Sequence, residues 1–376
     1  MARRGGYRYN TPMDLPEIPR RATRSVTVGG VIIGGGAPVS VQTMTNTPTA
    51  HAEATGAQID RLARGGADLV RVAVPTRADT AALGRIVAEA PVPIIADVHF
   101  HVERALEAIA AGAAKIRLNP GNISDRDQVR RVIDAAAEAG TAIRVGVNEG
   151  SVVERTAGAR RRSDLARPLA DLMVDKLAEH VALFEAAGFE NLVLAAKSHD
   201  AYTCVVAARL IAERWDYPLH LGVTHAGLPE TAAIRSAAAV GALLCEGIGE
   251  TIRLSYAGDP LAEVRAAVEL LCSLRLRARR GVDLVACPTC GRLQMDLGPM
   301  VEKVRAELAD IEAPLTVAMM GCVVNGPGEA DNADVAICAG KGKAVLYRRG
   351  QRVRTVAADQ IVSAVVSEAR RLAGEQ

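Results

Sequence analysis

Short runs of β-branched and aliphatic residues alternate with Ala-rich segments of helical period along most of the chain. A Gly-Gly turn first predicts a hairpin within residues 25–33, SVTVGGVII. Eight strand-like runs follow, at residues 38–44, 68–74, 92–97, 115–119, 142–147, 191–196, 218–223 and 251–255. Most precede an amphipathic stretch, as at residues 103–111, 126–139 and 200–214. Strands joined by crossover helices must be parallel, and eight such units over about 240 residues predict a closed (β/α)8 barrel of the TIM type.

A doubly wound parallel sheet is the alternative fold, but no glycine fingerprint for a dinucleotide follows the first strand. The triple glycine at residues 34–36 precedes a strand rather than a helix, and we interpret it as the end of the hairpin. The alternation favours the barrel.

The alternating pattern ends near residues 275–280, within the segment LRLRARRGVD, where a charged linker is predicted. Beyond it, strands are predicted at 282–286, 314–319, 334–338, 344–348 and 351–356, with helices at 299–309 and 358–373. This mixed order predicts a small α+β domain of roughly ninety residues, whose stability a metal centre would increase. The predicted organisation is a tail (1–22), a barrel (23–277) and an α+β domain (281–376).

Composition narrows the class of protein. Hydrophobic residues make up 49% of the 376 residues but aromatic residues only 3%, which suits buried parallel strands covered by Ala-rich helices. The net charge of +2 gives no global field for nucleic acid or an anionic membrane. With no apolar run of the ~20 residues that a membrane helix needs and no signal peptide, we expect a cytoplasmic protein. Basic clusters at residues 20–21 and 160–162 are interpreted as solvated segments.

The seven cysteines are unevenly placed, since none precedes Cys204. Cys287 and Cys290 form a CxxC turn, a spacing at which both thiolates reach one metal or cluster. Cys322 follows a predicted strand and opens a loop rich in glycine, which allows close backbone approach to an inorganic core. The other four lie in apolar strands or helices and are predicted to be small buried hydrophobes: Cys204, Cys245, Cys272 and Cys338.

Three cysteines at one predicted site favour an iron–sulfur cluster over structural zinc, which requires four ligands, and no histidine follows His225. Glu329, on the same loop as Cys322, is the candidate fourth ligand, and a carboxylate there would be weak and exchangeable. Two other interpretations stay open. One is a zinc-stapled barrel transferase without redox chemistry, and the other is a non-enzymatic iron–sulfur regulator.

Polar residues stand at the predicted carboxyl ends of the barrel strands, where the chemistry of such barrels gathers. They are Arg71, Asp97, Arg117, Asn119, Arg144, Asn148, Lys197, His225 and Ser255. Three guanidiniums and a lysine converging on one mouth would suit two phosphoryl groups. The alternative is that some of them pair with Asp97 or Glu149 inside the barrel.

Among the histidines, His225 follows the seventh strand and is the best-placed proton donor. His51 and His180 are predicted to lie at the surface and His220 within an apolar strand. His99 is predicted to be a core residue or one that supports the site.

These motifs together resemble the 4-hydroxy-3-methylbut-2-enyl diphosphate synthase family over nearly the whole chain. The resemblance begins at residues 23–47 and extends to the last helix. The segments that carry it are VRVAVPT, ADVHF, RLNPGN, RVGVNEGS, HLGVT, GIGETIRLS, CPTCGR and MGCVVNGPGEA.

The resemblance implies an enzyme that opens the ring of 2-C-methyl-D-erythritol 2,4-cyclodiphosphate reductively. It implies a [4Fe–4S] cluster on Cys287, Cys290, Cys322 and Glu329, with electrons from a flavodoxin or ferredoxin. It also implies a homodimer in which one subunit's cluster domain closes over the other's barrel. Diphosphate-binding positions of the family match Arg71, Arg117, Arg144 and Lys197, and Asp97, Asn119, Asn148 and Ser255 would also line the site.

One position departs from the family pattern. The family usually has TEAG after the seventh strand, whereas this chain has Thr224-His225-Ala226-Gly227. A histidine there could still donate a proton, but with a different charge and pH dependence. If the two side chains share a role, the His225→Glu variant retains both cluster and activity, and complete loss of turnover would refute that role.

Overall fold

The computed structural model describes residues 17–98, 101–118, 126–152, 167–288, 290–322, 326, 328 and 331–374, without the side chain of residue 151. It divides the chain into two compact units, Met1–Arg277 and Ala278–Gln376. No helix in these ranges is long and apolar enough to cross a membrane.

The first unit contains an N-terminal hairpin and eight further strands that alternate with helices. The hairpin strands are β1 (Ser25–Val28) and β2 (Val31–Gly34). The eight strands are β3 (Ser40–Met44), β4 (Leu69–Ala73), β5 (Ile94–Asp97), β6 (Lys115–Leu118), β7 (Ala142–Asn148), β8 (Leu192–Lys197), β9 (His220–Leu221) and β10 (Thr251–Ile252). The helices are α1 (Ala52–Arg64), α2 (Arg77–Glu89), α3 (Val102–Ala110), α4 (Arg126–Ala139), α5 (Glu149–Val152), α6 (Leu169–Ala186), α7 (Ala201–Arg214), α8 (Pro229–Cys245) and α9 (Pro260–Ser273).

The eight strands form one parallel sheet in the order β8-β7-β6-β5-β4-β3-β10-β9. A parallel bridge between Leu194 of β8 and Leu219, next to β9, brings the two ends of the sheet together. The predicted barrel is therefore confirmed. β9 and β10 are shorter than predicted, with two residues each, because the chain leaves the ladder at Gly222 and Arg253.

Alternation along the strands divides their side chains between the barrel interior and the surrounding helices. In β6, Ile116 and Leu118 pack in the large core formed with the helices. Lys115 and Arg117 therefore face the interior, where both are buried. Barrel interiors are usually filled by branched aliphatic side chains, so charged residues here indicate a site.

The hairpin closes the amino-terminal end of the barrel. β1 and β2 pair antiparallel, as predicted, across the turn at residues 29–30. Val26, Val28 and Ile33 are fully buried. They pack against inward-facing residues near the strand starts, namely Leu69, Ile95, Ala142 and Val193. We call this apolar cluster of hairpin and strand-start residues the hairpin floor. The opposite end of the barrel, at the carboxyl ends of the strands, is the polar end.

In its described residues, the second unit has a five-stranded mixed sheet with long helices packed on it, so the predicted α+β fold is confirmed. Its strands are β11 (Val282–Ala286), β12 (Leu315–Met320), β13 (Val335–Ala339), β14 (Lys343–Arg348) and β15 (Gln351–Ala357), in that spatial order. The first three are parallel and the last two pair antiparallel. Helices α10 (Gly298–Glu307) and α11 (Ile361–Ala373) bury their apolar faces on the sheet. A 3₁₀ turn occupies residues 358–360, so the last helix begins three residues later than predicted.

Three surface predictions are wrong. His180 is buried, because it lies on the face of α6 that packs on the barrel. Cys245 is exposed, since it is the last residue of α8. Arg20 and Arg21 are partly buried, and Arg21 donates hydrogen bonds to the Trp215 carbonyl at 2.7 Å and to a second carbonyl nearby. The basic cluster at 160–162 and His99 lie outside the described residues.

Candidate functional site

Asp97 is the centre of the polar cluster at the carboxyl end of the barrel. Its carboxylate lies 3.2 Å from Arg71 Nη2 and 3.6 Å from Arg117 Nη1. Burial lowers the pKa of Arg71 to about 10, and the charge of Asp97 opposes this shift. The sequence-based alternative of pairing with Asp97 is thus confirmed for these two arginines. Glu149 instead accepts a hydrogen bond from Ser198 at 2.6 Å and lies 2.9 Å from His199.

Unlike Arg71 and Arg117, Arg144 and Lys197 have no carboxylate partner among the described residues. Arg144 stands beside Arg117 in the β6–β7 register. Its Nε and Nη1 are buried donors that have no acceptor among the described residues. Within the described residues, neither Arg144 nor Lys197 has a carboxylate at ion-pair distance. The pKa of each is held well below its usual value, first by burial and then by neighbouring cations, among them Arg71.

Sequence reasoning missed four interior residues that accompany the predicted set. Lys115 and Gln42 are buried, and no described residue forms a hydrogen bond with their side-chain nitrogens. His220 is also buried, and neither of its ring nitrogens forms a hydrogen bond with a described residue. Arg253 pairs with buried Glu263 at 3.2 Å. Spacing could have found two of them. Lys115 precedes Arg117 by two residues and Arg253 precedes Ser255 by two, which places each pair on one face of its predicted strand.

Cations outnumber carboxylates in this part of the interior. Among the described residues the cations are Arg71, Lys115, Arg117, Arg144, Lys197 and Arg253, and the carboxylates are Asp97 and Glu263. Buried charge without a counter-charge is costly, so the arrangement is stable only with an anion or with protons released from the lysines. Guanidiniums in this number suit phosphoryl oxygens.

Gly222 allows the ends of β9 and β10 to approach. A Cβ on this residue would lie 2.4 Å from the Arg253 carbonyl oxygen and 3.0 Å from Lys197 Nζ. The close approach to the Arg253 backbone oxygen therefore requires a residue without a side chain at position 222.

The remaining predicted barrel residues lie at strand ends or outside the described residues. Asn148 ends β7 and is half-buried, and Ser255 is half-buried after β10. His225 is exposed on the loop after β9, where its φ of 52° lies in the left-handed region. Asn119 falls outside the described residues.

Two of the three predicted cluster cysteines meet at one edge of the second unit's sheet. β11 and β12 are parallel, so their carboxyl ends lie side by side, and Cys287 and Cys322 follow these ends. The Cys287 amide donates to the Met319 carbonyl at 3.0 Å. Its Sγ lies 3.7 Å from the position that a Cβ would take on Gly321, which is an ordinary contact distance, whereas Leu293 Cδ1 lies only 2.4 Å from that position.

Cys290 and Cys338 differ in thiol chemistry. Cys290 is exposed, and hydrogen bonds, led by one from the Arg292 backbone, lower its pKa and so favour the thiolate that binds metals. Burial, followed by the proximity of Cys322, raises the pKa of Cys338 to about 11. Cys338 is thus a protonated, buried thiol on β13, which agrees with its predicted place in an apolar strand.

The donor set at this edge fits a thiophilic cluster in its chemistry. Cys287 is partly buried, Cys290 is exposed and Cys322 is buried. All three follow strand ends, and thiolates are ligands that soft metals prefer. Across the described residues, no three His, Cys, Asp or Glu side chains already surround one metal-sized point. Glu329, the fourth predicted ligand, lies outside those residues.

Comparison with known proteins identifies the family of both units. The GcpE TIM-barrel domain model matches residues 23–268, and the GcpE protein C-terminal domain model matches residues 283–371. A relative from Acidothermus cellulolyticus, named 4-hydroxy-3-methylbut-2-en-1-yl diphosphate synthase (flavodoxin), is 46% identical over 97% of this chain and 92% of its own. One of the same name from Geobacter sulfurreducens is 45% identical over 94% of this chain and 99% of its own.

A solved structure supports the barrel alone. Dihydropteroate synthase from Stenotrophomonas maltophilia matches with a TM-score of 0.50 and 20% identity, over 67% of this chain and 97% of that chain. At that identity the likeness extends to the fold only. The two family models and the full-length relatives carry the assignment, and by them this chain belongs to the GcpE family, whose curated relatives are 4-hydroxy-3-methylbut-2-en-1-yl diphosphate synthases.

Proposed function

We propose that this chain converts 2-C-methyl-D-erythritol 2,4-cyclodiphosphate to (E)-4-hydroxy-3-methylbut-2-enyl diphosphate. The reaction consumes two electrons and two protons, breaks a C–O bond to phosphate and releases the C3 hydroxyl as water. One observation carries the proposal. In a chain of this family, the buried cations among the described residues at the polar end of the barrel outnumber the carboxylates, and two nitrogens of Arg144 have no hydrogen-bond partner among those residues.

The barrel residues would bind and orient the two phosphoryl groups. Arg71, Arg117, Arg144 and Lys197 are the proposed phosphate ligands, and Asn119, Asn148 and Ser255 would line the same site. Asp97 would hold Arg71 and Arg117 in place through the ion pairs at 3.2 Å and 3.6 Å, rather than contact the anion directly. Fixed guanidinium geometry would keep the ring in one orientation.

Cys287, Cys290, Cys322 and Glu329 would hold a [4Fe–4S] cluster in the second unit. When bound, this cluster would supply the two electrons one at a time. The three thiolates are the strong ligands, and Glu329 is the weak one that could exchange for a substrate oxygen. The word flavodoxin in the relatives' names supports a flavodoxin as electron donor, with a ferredoxin as the alternative. The homodimer implied by the resemblance stays a prediction.

His225 is the proposed proton donor, because it is exposed on the loop after β9. The His225→Glu variant tests this role: retained turnover with a changed pH profile is expected if the two side chains share it.

The decisive experiment is anaerobic purification followed by an absorption spectrum and a count of iron, sulfide and zinc. The cyclodiphosphate and a reductant are then added, and the diphosphate product is measured. A brown protein that turns over the cyclodiphosphate supports the proposal. A colourless protein with about one zinc per chain would instead indicate a zinc-stapled transferase. A cluster-containing protein that does not bind the cyclodiphosphate would indicate a regulator.

A further inference from the structure

Lys115 occupies an unusual position beneath the candidate anion site. It begins β6, and its side chain faces the barrel interior with a solvent exposure of 0%. Its Nζ has no hydrogen-bond partner in the part of the chain that the structure describes. Within the described residues no carboxylate lies at ion-pair distance from it, whereas Arg71 and Arg117 share Asp97. A structural lysine is normally paired, so this one requires another explanation.

The direct register neighbours of Lys115 are apolar, namely Ile95 on β5 and Ala142 on β7. The titratable groups near it are Arg144 of the adjacent strand β7, Arg71 of β4, which is two strands away in the sheet, and His220 of β9. Asp97 already pairs with Arg71 and Arg117. The charges that act most on the Lys115 amine are those of Arg144 and Arg71, and both are positive.

A buried lysine and a buried arginine respond differently to such surroundings. Arginine stays charged in proteins, whereas a lysine amine can release its proton when burial and like charges disfavour the ammonium form. Burial, and then Arg144 and Arg71, hold the pKa of Lys115 well below its usual value. An anion between the guanidiniums would remove that repulsion and add a counter-charge, which favours the ammonium form.

We propose that Lys115 is a further binding residue of the barrel, whose amine takes up a proton from solvent as the anionic ligand enters. This inference rests on the proposed function, since it requires that a diphosphate binds among Arg71, Arg117 and Arg144. No bond to carbon or phosphorus changes in the step. One proton moves from water to the Lys115 amine, and it returns when the ligand leaves.

The proton uptake has a definite sign. Between the lower pKa of the empty site and the higher pKa of the filled site, binding is favoured by protons, so the dissociation constant rises with pH. One linked proton contributes a rise of about tenfold per pH unit in that window. Lys197 and His220 are also buried and can add to the number of protons taken up on binding. A variant of Lys115 is therefore needed to measure the contribution of Lys115 alone.

The test is calorimetric titration of the full-length protein with 2-C-methyl-D-erythritol 2,4-cyclodiphosphate, whose phosphodiester groups do not titrate near neutral pH. Titrations at one pH in two buffers of different ionisation enthalpy give the number of protons taken up. Wild type is compared with Lys115→Met, which keeps the length of the side chain, and with Lys115→Arg, which keeps a permanent charge. Lys176→Met is the matched control, since Lys176 is an exposed residue of α6 paired with Glu179 at 2.7 Å.

We expect Lys115→Met to take up fewer protons than wild type, by up to one per chain, and to bind more weakly by at least tenfold. Lys115→Arg should bind with nearly wild-type affinity but without that proton. Equal proton uptake in wild type and in either well-folded variant would overturn the inference while leaving the proposed function intact. Failure of the wild-type protein to bind the cyclodiphosphate would refute the proposed function, and the inference with it.

Discussion

Replacement of Arg144 by methionine should change ligand affinity and protein stability in opposite directions. Arg144 is buried, and its Nε and Nη1 form no hydrogen bond with any residue that the structure describes. In the proposed complex these two nitrogens are directed at phosphoryl oxygens. Methionine has a similar length, carries no charge and fills irregular apolar space.

The loss of affinity can be worked from the two donor atoms. A hydrogen bond to a charged group contributes about 1.5–3 kcal/mol, so two give about 3–6 kcal/mol, or about 10²–10⁴-fold in the dissociation constant. Coulomb's law agrees, since two unit charges about 4 Å apart at an effective dielectric constant of about 20 attract by about 4 kcal/mol. The stability change has the other sign. A buried donor without a partner costs about 1–3 kcal/mol, and methionine removes that cost.

Calorimetric titration with the cyclodiphosphate and urea unfolding without ligand measure the two quantities. Arg130→Met is the matched control, because Arg130 forms an exposed pair with Asp134 at 2.7 Å on α4. Such pairs contribute about 0.3–0.5 kcal/mol, so this variant should bind normally and be slightly less stable. If Arg144→Met bound the ligand as wild type does, or unfolded more readily than the control, the argument for an uncompensated binding cation would be wrong.

Three further predictions concern other parts of the chain. Burial, followed by the charge of a nearby lysine, lowers the pKa of His180 to about 4 from 6.5, so the free energy of unfolding should decrease as pH falls from about 6.5 to about 4. His180→Phe should flatten that part of the pH profile in urea titrations, and an unchanged slope would contradict it. Gly222→Ala should lower both thermal stability and ligand affinity, because its Cβ would lie 2.4 Å from the Arg253 carbonyl oxygen; a variant as stable as wild type would show that the strand ends can separate. Cys322→Ser should lose most of the iron in anaerobic preparations while Cys338→Ser keeps it, and equal iron contents would disprove the assignment of ligands.

Strand and helix types could be predicted from the sequence because periodicity is a local property. The eight barrel strands, the hairpin and the five strands of the second unit are confirmed, with differences at their ends. Arg71, Arg117 and Arg144 could be selected as well, since an arginine inside an apolar strand is conspicuous in the sequence. Their convergence follows from the parallel arrangement, which places strand ends on one side.

Residues whose role depends on register or on a helix face were harder to predict. Lys115 begins its strand, and such a lysine is usually a solvated flank. Its spacing of two residues from Arg117 indicates a shared strand face, and the closed barrel shows that this face is the buried interior. His180 was misassigned although the spacing was informative, since it lies three residues after Leu177 and four before Phe184, both buried on the same helix face. The pairing of Arg253 with Glu263 links a strand end to the next helix and could not be inferred from periodicity.

The hairpin floor has a consequence for folding during synthesis. An isolated two-stranded hairpin is at best marginally stable in water, so β1 and β2 need the apolar surface that the barrel strands provide. That surface includes Val193, which is made long after Val28. Because the chain is synthesised from its amino terminus, the apolar side chains of the hairpin stay exposed until much of the barrel has been made. Chaperones that shield emerging apolar segments should therefore bind residues 25–34 early and release them only when β8 has joined the sheet.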